Sequence, residues 1–565
     1  MSGNAWTPDK IGFVACYPNL AKAGLASLGM HVITRIAGGH PRFVADACFF
    51  PGKTNETRVL TTRFKAPLRS FSLVGFSCAF EPDYPNVPRM LQIAGIPLYP
   101  LARARARAAG ERVPLVIAGG IAISSNPMPL LAFFDFIFLF DAEPTFPRFL
   151  DNFVHLLESG DLDSIEGLEA WWKDYDGPKH GIIPAFKYRE GIPWGEIFNP
   201  VSCKTVTYDI DEFVAPHAQA LTDPDDPSAA LGTSYLLEVG RGCGEGCRFC
   251  LVGSRLRPPR FATLDKITRH VDGLKTSGLP HQKIALVATN IADHPSLPAL
   301  CKYIVDAGYK VSIPSTKPLC DVSLLVTMQH SNIKTVAIAP ETGSEPLRMA
   351  VNKKVTNAEY ETAIVALLDH GISTVKIYLM FGLPSESSAD IDLTTAFVEH
   401  IQDIVSRHGA QLTISLNPFV PKLGTPFMFH VDNYMPSNIK RFKRGYETFA
   451  RRLEKICHAR VDTISVKEAQ IQAVLSLGGV ELAAHVQQHP LSIPDDVVER
   501  VLIETKALLD AREFPEPIDR FVPIPLGFLK REWLMAMERK PSPRCAPPAS
   551  CAGCDHVACT EKPRR

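Results

Sequence analysis

Short apolar runs alternate with stretches of helical periodicity over the first 160 residues. The apolar runs predict five strands, at residues 11–17, 43–50, 73–79, 115–118 and 134–140. The helical stretches lie between them, near residues 20–29, 87–94 and 145–157. This alternation is typical of a parallel sheet with helices on both faces, which binds ligands at the carboxyl ends of its strands. The pattern therefore predicts a Rossmann-like first domain.

The pair Gly119-Gly120 ends one of these predicted strands. Glycine has no Cβ, so the pair would let a ligand approach the backbone closely. A tight strand-to-helix turn explains the pair equally well.

A second alternating block begins at residue 234. Its apolar runs predict six strands, at residues 235–239, 284–289, 311–314, 336–340, 375–381 and 412–418. Helical stretches such as residues 358–370 and 390–408 separate them. Six βα units in succession predict a partial or full parallel barrel, with its active site at the carboxyl ends of the strands. The predicted fold class is α/β.

The rest of the chain differs from these two blocks. Residues 161–233 are less regular and include the proline-rich acidic run 223–227, which is typical of a linker, and the chain becomes helical after Pro436. The expected units are a Rossmann-like domain at 1–160, a connecting segment at 161–233, a barrel at 234–435, a helical C-terminal region at 436–540 and a cysteine-rich tail at 541–565.

Composition narrows the possible classes of protein. The chain has 565 residues, of which 46% are apolar and 21% are charged, so a disordered, collagen-like or coiled-coil chain is excluded. Lys plus Arg and Asp plus Glu are both 60, which gives no electrostatic case for a nucleic-acid or membrane partner. No uncharged apolar window reaches the about 18 residues of a membrane span, and no signal peptide is visible. We therefore expect a cytoplasmic protein whose 14 cysteines include metal ligands rather than a disulfide framework.

The strongest chemical signal is a C-x-x-x-C-x-x-C motif formed by Cys243, Cys247 and Cys250, in the loop after the first barrel strand. Three thiolates can hold three irons of a [4Fe–4S] cluster, which leaves the fourth iron open for a substrate or cofactor. The alternating glycines at 242, 244 and 246 would let the loop wrap a cluster, and Phe249 would cover one face. A structural zinc site fits less well, because it needs a fourth ligand that does not follow at zinc-finger spacing.

This motif after the first strand of a βα barrel resembles the radical S-adenosylmethionine (radical SAM) superfamily. The resemblance implies that the open iron binds the amino and carboxylate groups of S-adenosylmethionine. One electron from the cluster then cleaves the sulfonium and gives a 5′-deoxyadenosyl radical, while the protein positions the cofactors and excludes water. It also implies a one-electron donor such as flavodoxin or ferredoxin.

Three further segments resemble blocks of the superfamily in the expected order. Residues 336–352 resemble the fourth-strand block, residues 377–386 the "GLPxE" block and residues 419–427 the "PFVPKxxTPF" block. The second strand departs from the family pattern, since Thr289 and Asn290 stand where a "GGE" turn is usual. Six residues are expected to bind the cofactors, with Thr289 and Asn290 as substitutes for the usual turn: Phe249, Thr289, Asn290, Ser315, Glu341 and Gly382.

The whole chain is similar to radical SAM proteins with an N-terminal cobalamin-binding-type domain. This similarity rests on residues 73–80, 90–97, 114–120 and 528–533. It implies cobalamin as a candidate cofactor that carries a methyl group. The D-x-H-x-x-G motif, whose His is the usual lower ligand of cobalt, is absent. Cobalamin would then be held through its tail in the crevice of the sheet, and the alternative is a first domain that has lost the cofactor.

The other cysteines fall into two groups. Cys545, Cys551, Cys554 and Cys559 lie within 15 residues of a short polar tail, where an auxiliary iron–sulfur cluster and a four-thiolate zinc site are both consistent with the spacing. Scattered cysteines in mostly apolar surroundings are expected to pack in cores, and these are Cys16, Cys48, Cys78, Cys203, Cys301, Cys320 and Cys457. We also expect Trp171-Trp172 to pack, and the basic run 103–107 to form a solvated helix face.

These features lead to three hypotheses of function. The first is a radical SAM methyltransferase, or another enzyme that modifies a C–H bond with cobalamin. The second is a cobalamin-independent radical SAM enzyme that inserts sulfur through a tail cluster or catalyses a rearrangement. The third is a zinc-binding interaction protein, against which the open three-thiolate loop on a barrel argues. The substrate class, whether small molecule, peptide or RNA, is not specified by the sequence.

Overall fold

A computed structural model describes residues 9–52, 58–175, 181–188, 234–276, 283–313, 321–488, 493–515 and 518–545, together with residues 7, 210 and 553. The first domain has one six-stranded sheet in the order β2-β1-β3-β4-β5-β6. Its strands are β1 (Ile11–Tyr17), β2 (Phe43–Phe49), β3 (Leu73–Ser77), β4 (Leu115–Gly119), β5 (Phe136–Phe138) and β6 (Ile182–Ile183). The first five are parallel, as predicted, and β6 adds an antiparallel edge.

Helices cover both faces of this sheet. They are α1 (Ala21–Leu25), α2 (Leu28–Gly39), α3 (Asn86–Ile93), α4 (Pro100–Ala108), α5 (Ile121–Ser125), α6 (Phe146–Ser159) and α7 (Ile165–Tyr175). Side chains of β1 alternate between the two layers, since Phe13 and Ala15 belong to one hydrophobic cluster and Val14 and Cys16 to another. The single helix predicted near residues 20–29 is two helices, because the backbone of Ser27 is extended.

Residues 161–188 differ from the expected connecting segment. Helix α7 packs Trp171 and Trp172 against Phe136 of β5, and both tryptophans are buried. Strand β6 completes the sheet. The packing expected for the two tryptophans is confirmed, and the layers of the first domain therefore extend beyond residue 160. The predicted linker at residues 223–227 lies outside the described residues.

The basic run on α4 is not a solvated face. Arg103 and Arg107 are buried, and only Arg105 of the three points to solvent. The Arg103 Nε donates to the Asp135 carboxylate at 3.0 Å, and the Arg107 Nε donates to the Leu162 carbonyl at 2.9 Å. The prediction was wrong because Asp135 lies far along the chain from α4 and supplies the charge that makes burial tolerable.

The second block forms two parallel sheets and one short antiparallel pair. Its strands are β7 (Ser234–Glu238), β8 (Gly240–Arg241), β9 (Arg260–Phe261), β10 (Lys283–Val287), β11 (Lys310–Ser312), β12 (Thr335–Glu341), β13 (Thr374–Phe381), β14 (Gln411–Pro418) and β15 (Asp462–Thr463). The parallel sheets are ordered β11-β10-β7 and β12-β13-β14-β15, and β8 pairs with β9. All six predicted barrel strands are present.

Helices connect the barrel strands. They are α8 (Leu251–Arg255), α9 (Leu264–Thr276), α10 (Leu297–Asp306), α11 (Val322–His330), α12 (Glu345–Val351), α13 (Asn357–Asp369), α14 (Ser388–Arg407) and α15 (Ile439–Cys457). The parallel strand β15 follows α15, so one more βα unit extends this sheet beyond the expected boundary at residue 435.

The C-terminal region is helical, as predicted. It contains α16 (Val466–Leu477), α17 (Leu482–Gln488), α18 (Asp495–Ala507), α19 (Ile518–Phe521) and α20 (Leu526–Met537). Short 3-10 helices occur at Leu68–Ser70, Glu81–Asp83, Met128–Phe133, Asp161–Asp163, Ala185–Lys187, Ile291–Asp293, Pro426–Phe429 and Asp432–Tyr434. The Asn126 side-chain amide donates to the carbonyls of Ser476 and Gly478, which joins this region to the first domain.

In the described ranges, no helix combines the length and the apolar character needed to cross a membrane.

The start of α13 provides a test of the local helix signals. Thr356 and Glu359 form a capping box, in which the Glu359 N–H donates to the Thr356 hydroxyl and the Thr356 N–H donates to the Glu359 carboxylate. We expect Thr356→Ala to lower the free energy of unfolding by about 1 kcal/mol, because one helix N–H loses its acceptor. Urea denaturation measures this change. Thr362→Ala, on the same helix, is the control and should cost less because Thr362 is not part of the cap.

Candidate cluster and cofactor sites

The glycine-rich loop between β8 and α8 carries the three predicted thiol ligands. A Cβ on Gly242, whose φ is +82°, would lie 2.0 Å from the Leu256 carbonyl oxygen. A Cβ on Gly244 would lie 2.0 Å from the Cys545 carbonyl oxygen. The loop therefore requires glycine at both positions, because neighbouring backbone segments approach too closely for any side chain.

Cys243, Cys247 and Cys250 are half-buried residues on this loop. Burial raises the pKa of the Cys247 thiol to about 12, and it also raises the pKa values of Cys243 and Cys250. The Cys250 sulfur accepts from the Gly253 N–H at 3.4 Å, at the start of α8. Ligand thiols must lose their protons, so metal binding here would be accompanied by proton release.

The donor set of the loop consists of three thiols. In the part of the chain that the structure describes, no three His, Cys, Asp or Glu side chains are grouped to hold one metal ion. In an iron–sulfur cluster each thiolate binds its own iron, so the sulfurs do not need to converge on one point. The donor set of three thiols on one loop therefore fits a [4Fe–4S] cluster.

Arg248 fixes the back of this loop. Its guanidinium is fully buried and donates to the Glu532 carboxylate at 3.1 Å, to the Ser542 hydroxyl at 2.8 Å and to the Ala350 carbonyl at 2.9 Å. It also donates to the carbonyls of Met349 and Lys540. One side chain thus joins the cysteine loop to α12 and to the C-terminal segment.

Asn352 makes a second brace. It ends α12 in the left-handed conformation, with φ +65°. Its side-chain amide donates to the carbonyls of Glu245 and Gly246 at 3.2 and 3.1 Å, and its oxygen accepts from the Ser542 N–H at 2.8 Å. Neither Asn352 nor Arg248 was identified from the sequence, because their partners lie about 100 to 300 positions away along the chain.

The beginning of the cysteine tail lies against the same loop. The Cys545 N–H donates to the Gly244 carbonyl at 2.7 Å, and the Cys545 side chain is buried. Arg544 forms ion pairs with Glu245 and Asp293. The other three cysteines of the predicted tail site, Cys551, Cys554 and Cys559, lie outside the described residues.

Glu341 faces the site from the end of β12. Its φ is +66°, a left-handed conformation that is uncommon for a glutamate, and the register of β12 shifts between Ile338 and Glu341. The Lys353 Nζ lies 2.6 Å from the Glu341 carboxylate. Burial opposes the charge of Lys353, but Glu341 raises the pKa of Lys353 above its ordinary value. This ammonium also lowers the pKa values of Cys247 and Cys250, although burial has the larger and opposite effect.

The other residues that the resemblance pointed to have varied surroundings. Thr289 is exposed, whereas the Asn290 side-chain Nδ2 is buried and has no hydrogen-bond partner among the residues that the structure describes. Phe249 packs against a buried hydrophobic cluster that includes Leu347 and Phe419. Gly382 has φ +84°, and its N–H donates to Glu386. Ser315 lies outside the described residues.

A cavity of about 240 Å³ opens at the carboxyl ends of β3, β4 and β5. Its lining is mostly apolar and includes Phe76, Ile117 and Phe138, with Gly119 and Gly120 at the end of β4. Gly120 has φ +112°, and a Cβ there would lie 2.5 Å from the Cys78 carbonyl oxygen. The Gly-Gly pair therefore makes a tight turn and also lines a cavity, so the two explanations considered for it are compatible.

A buried ion network borders this cavity and links it to the cysteine loop. Arg241, on β8, pairs with Asp141 at 2.8 Å, Glu143 at 2.7 Å and Glu238 at 2.8 Å, and Arg260 pairs with Asp141 at 2.7 Å. Burial opposes the charge of Asp141, yet the two guanidinium groups hold its pKa below the ordinary value. Burial raises the pKa of Glu143. The loop after β5 is thereby fixed to the first turn of the barrel.

Two family models match the chain. The model for radical SAM proteins, N-terminal, matches residues 29–169, and the model for the radical SAM superfamily matches residues 237–398. The chain is 26% identical over 480 residues to an uncharacterized protein of Methanocaldococcus jannaschii, covering 84% of this chain and 91% of that protein. It is also 22% identical over 299 residues to the tRNA-2-methylthio-N(6)-dimethylallyladenosine synthase of Deinococcus radiodurans, covering 49% of this chain and 55% of that enzyme.

Solved structures of similar proteins include two with bound cobalamin. The radical S-adenosylmethionine methyltransferase TsrM from Kitasatospora setae, with cobalamin and a [4Fe–4S] cluster, matches with a TM-score of 0.44 and 12% identity over 72% of each chain. The cobalamin-dependent radical enzyme OxsB, with aqua-cobalamin, matches with a TM-score of 0.47 and 11% identity, covering 94% of this chain and 80% of that one.

Proposed function

Because the chain belongs to the radical SAM superfamily, whose enzymes use a [4Fe–4S] cluster and S-adenosylmethionine, we propose that Cys243, Cys247 and Cys250 hold this cluster. The observation that carries the proposal is the loop itself, where three half-buried cysteines follow the first barrel strand and the backbone leaves no room for side chains at Gly242 and Gly244. The reaction class is reductive cleavage of S-adenosylmethionine to a 5′-deoxyadenosyl radical. When bound, the cluster supplies the electron for this cleavage.

The residues of the chain contribute binding, orientation and exclusion of water. Arg248 and Asn352 hold the loop from behind, and the C-terminal segment covers it. Asn290 presents a buried amide without a partner in the described ranges, at the strand end where the family usually binds the amino group of S-adenosylmethionine. We assign the Asn290 Oδ1 to that amino group as its acceptor, the Asn290 Nδ2–H to the adjoining methionine carboxylate, and Glu341 to the methionine or ribose part. A one-electron donor such as flavodoxin or ferredoxin completes the system.

We further propose that the first domain binds cobalamin and that the enzyme transfers a methyl group or otherwise modifies a C–H bond. We place the cobalamin tail in the apolar cavity at the ends of β3 to β5, the edge of a parallel sheet at which ligands bind. Gly119 and Gly120 allow close approach to the backbone there. When bound, cobalamin supplies a carrier for the methyl group. Without a D-x-H-x-x-G motif, no histidine at that position would ligate cobalt.

The test is anaerobic reconstitution with iron, sulfide, S-adenosylmethionine and cobalamin. Iron, corrinoid and 5′-deoxyadenosine are then quantified after desalting. Formation of 5′-deoxyadenosine without corrinoid under any condition would reject the cobalamin proposal and keep the radical SAM proposal. A protein that binds zinc alone and forms no 5′-deoxyadenosine would instead support the zinc-binding interaction protein.

Helix α2 offers a matched pair of variants for the cavity. Gly29 lines the cavity, and a Cβ added there would lie 3.9 Å from its nearest neighbour, the Ser27 hydroxyl. Gly39 lies at the other end of the helix, and a Cβ added there would meet nothing within 4 Å. Both positions therefore have space for a side chain. We expect Gly29→Leu to lower the amount of bound corrinoid at least about tenfold, because the new side chain takes the space of the cobalamin tail. Gly39→Leu should bind corrinoid as the wild type does. Absorption spectra after desalting measure the difference, and equal retention by both variants would argue against this cavity.

A second candidate function keeps the cleavage of S-adenosylmethionine but uses an auxiliary tail cluster instead of cobalamin, for sulfur insertion or rearrangement. The observation that favours it is the 2.7 Å hydrogen bond from the Cys545 N–H to the Gly244 carbonyl. A metal centre that used Cys545 would therefore lie next to the cysteine loop. Iron analysis of a variant without the loop cysteines separates the two functions.

A further inference from the structure

Helix α15 carries a concentration of positive charge that the neutral net charge of the chain conceals. The helix has seven basic and two acidic residues, a net charge of +5, whereas basic and acidic residues balance over the whole chain. All seven basic side chains are exposed, and they are Lys440, Arg441, Lys443, Arg444, Arg451, Arg452 and Lys455. The charge balance of the chain therefore does not describe this surface.

Four of these cations form one row along the exposed face of α15, which we call the basic row: Lys440, Arg444, Arg451 and Lys455. Their spacing places them on one side of a helix with 3.6 residues per turn, and at 1.5 Å per residue the row is about 22 Å long. The four form no ion pair within the described ranges, whereas Lys443 beside the row pairs with Glu447 and Arg452 pairs with Asp392. The basic row is therefore a line of uncompensated positive charge.

The start of α15 is electrostatically unfavourable for the helix itself. Lys440 and Arg441 lie in its first turn, which contains no acidic residue. Cations at a helix N-terminus are opposed by the helix dipole, whose positive end lies there. Helix formation does not explain these cations, whereas an anionic partner bound to the exposed face does.

The opposite face of α15 excludes a membrane surface as that partner. Phe442, Tyr446, Phe449 and Leu453 are buried in the hydrophobic core, and the Tyr446 hydroxyl donates to the Leu416 carbonyl of β14 at 2.7 Å. A helix that binds a membrane surface inserts its apolar face among the lipids. This apolar face is already covered by the barrel, so only the cationic face remains for a partner.

A cavity of about 330 Å³ lies at the first turn of α15, where β13 ends. Its lining includes Arg441 and Asn438, the aromatic rings of Phe381 and Phe442, and the carboxyl group of Glu386. Burial raises the pKa of Glu386 to about 8, so this group is mostly neutral at pH 7 and does not repel an anion. Aromatic rings and polar side chains of this kind recognise unpaired bases, which are typical of RNA loops and are not available in duplex DNA.

We propose that the basic row binds the phosphate backbone of a single-stranded segment of RNA and that the cavity at the end of β13 receives one of its bases. The row is long enough for about six nucleotides at 3.4 Å each. Strand β13 pairs in parallel with β12, whose carboxyl end carries Glu341 close to Cys247, so the cavity and the cysteine loop lie at the same end of the barrel. The RNA is then the substrate of the proposed radical chemistry, and to that extent this inference rests on the proposed function.

The test compares two variants of the full-length, anaerobically reconstituted protein, each with four exposed cations replaced by glutamine. The first variant changes the basic row. The second is the matched control and changes exposed cations outside α15 that form no ion pair within the described ranges: Arg105, Lys275, Lys310 and Lys334. Both variants lose the same charge, and both should melt like the wild type, since the substituted side chains are exposed.

Fluorescence anisotropy with a labelled, unstructured RNA of about 20 nucleotides measures binding between about 50 and 200 mM salt. We expect the row variant to bind this RNA at least about tenfold more weakly than the wild type. The slope of log affinity against log salt should fall by about 3, because each phosphate contact of a single strand contributes about 0.7. The control variant should change the slope by less than about 1. If the row variant does not fold, Arg444→Gln with Arg451→Gln should show about half of this change in slope.

Competition experiments decide between partners. Tighter binding of phosphatidylserine vesicles or of polyglutamate than of the RNA overturns the inference, and so does duplex DNA that binds as tightly as the RNA, because the cavity would then contribute nothing. Equal RNA affinity of the row variant and the control also overturns it.

Formation of 5′-deoxyadenosine without RNA separates this inference from the proposed function. Both variants should form it at the wild-type rate, because none of their substitutions lies on the cysteine loop. A wild-type protein that binds RNA through the basic row but forms no 5′-deoxyadenosine would reject the proposed function and leave the RNA-binding surface in place.

Discussion

The variant in which Cys243, Cys247 and Cys250 are all replaced by alanine is expected to form no 5′-deoxyadenosine under reducing conditions. The three thiolates are the proposed ligands of the cluster, so the variant loses the electron source and the anchor for S-adenosylmethionine together. Chromatography of anaerobic reactions with dithionite measures the product. We expect a complete loss of 5′-deoxyadenosine formation. Cleavage of S-adenosylmethionine at the wild-type rate would contradict the proposal that this loop holds the radical SAM cluster.

Core cysteines provide a matched control for the same substitution. Cys16, Cys301 and Cys457 are buried in a hydrophobic cluster, as expected for cysteines that pack rather than bind metal. Their triple replacement by alanine removes the same number of thiols and leaves the cysteine loop unchanged. We expect this control to keep forming 5′-deoxyadenosine, which separates loss of the cluster ligands from a general loss of stability.

The iron that remains in the variant without the loop cysteines tests the tail. About four iron and four sulfide per chain would support an auxiliary [4Fe–4S] cluster at Cys545, Cys551, Cys554 and Cys559. One zinc and no iron would support a four-thiolate zinc site instead. Metal-free protein would show that the tail prediction is wrong and would remove the main support for the second candidate function.

The parallel sheets could be predicted because their strands are nearly continuous apolar runs, buried on both faces. Strand β1, for example, has the bounds that were predicted. The observed ends of the six predicted barrel strands lie within two residues of the predicted ends. Helix α4 was misread because arginines on two adjacent turns look like a solvated face until Asp135 is known to lie beneath them. Strand β6, with only two residues, is too short to give a periodic signal.

The candidate site was predictable where its chemistry is local in the sequence. The motif of three cysteines within eight positions is recognisable from the sequence alone, and so are the glycines of the same loop. The support of the loop is not local, since Arg248 reaches Glu532 and Ser542 across nearly the whole second half of the chain. The contact of Cys545 with Gly244 is also formed only in the folded chain, and the spacing of residues in the sequence does not predict it. Contacts of this kind become visible only when the C-terminal segment is placed against the barrel.

The Arg248–Glu532 pair gives the second large prediction. We expect Arg248→Met to lower the free energy of unfolding by about 3 to 5 kcal/mol, because it leaves the Glu532 carboxylate buried without its cation. The variant also loses the hydrogen bonds that join the loop to Ala350 and Ser542, so its iron content should fall. Thermal melting and iron analysis after reconstitution measure the two effects.

A double-mutant cycle shows whether the pair or the packing around it holds the loop. Glu532→Gln alone leaves Arg248 charged and buried, and it should destabilise the protein as well. In Arg248→Met with Glu532→Gln, neither buried charge remains, and the double variant should be more stable than the sum of the single losses predicts. Iron content should nevertheless stay low in the double variant, because no side chain then fixes the back of the loop to the C-terminal segment. Recovery of full iron content there would show that Arg248 serves stability alone and does not position the cluster loop.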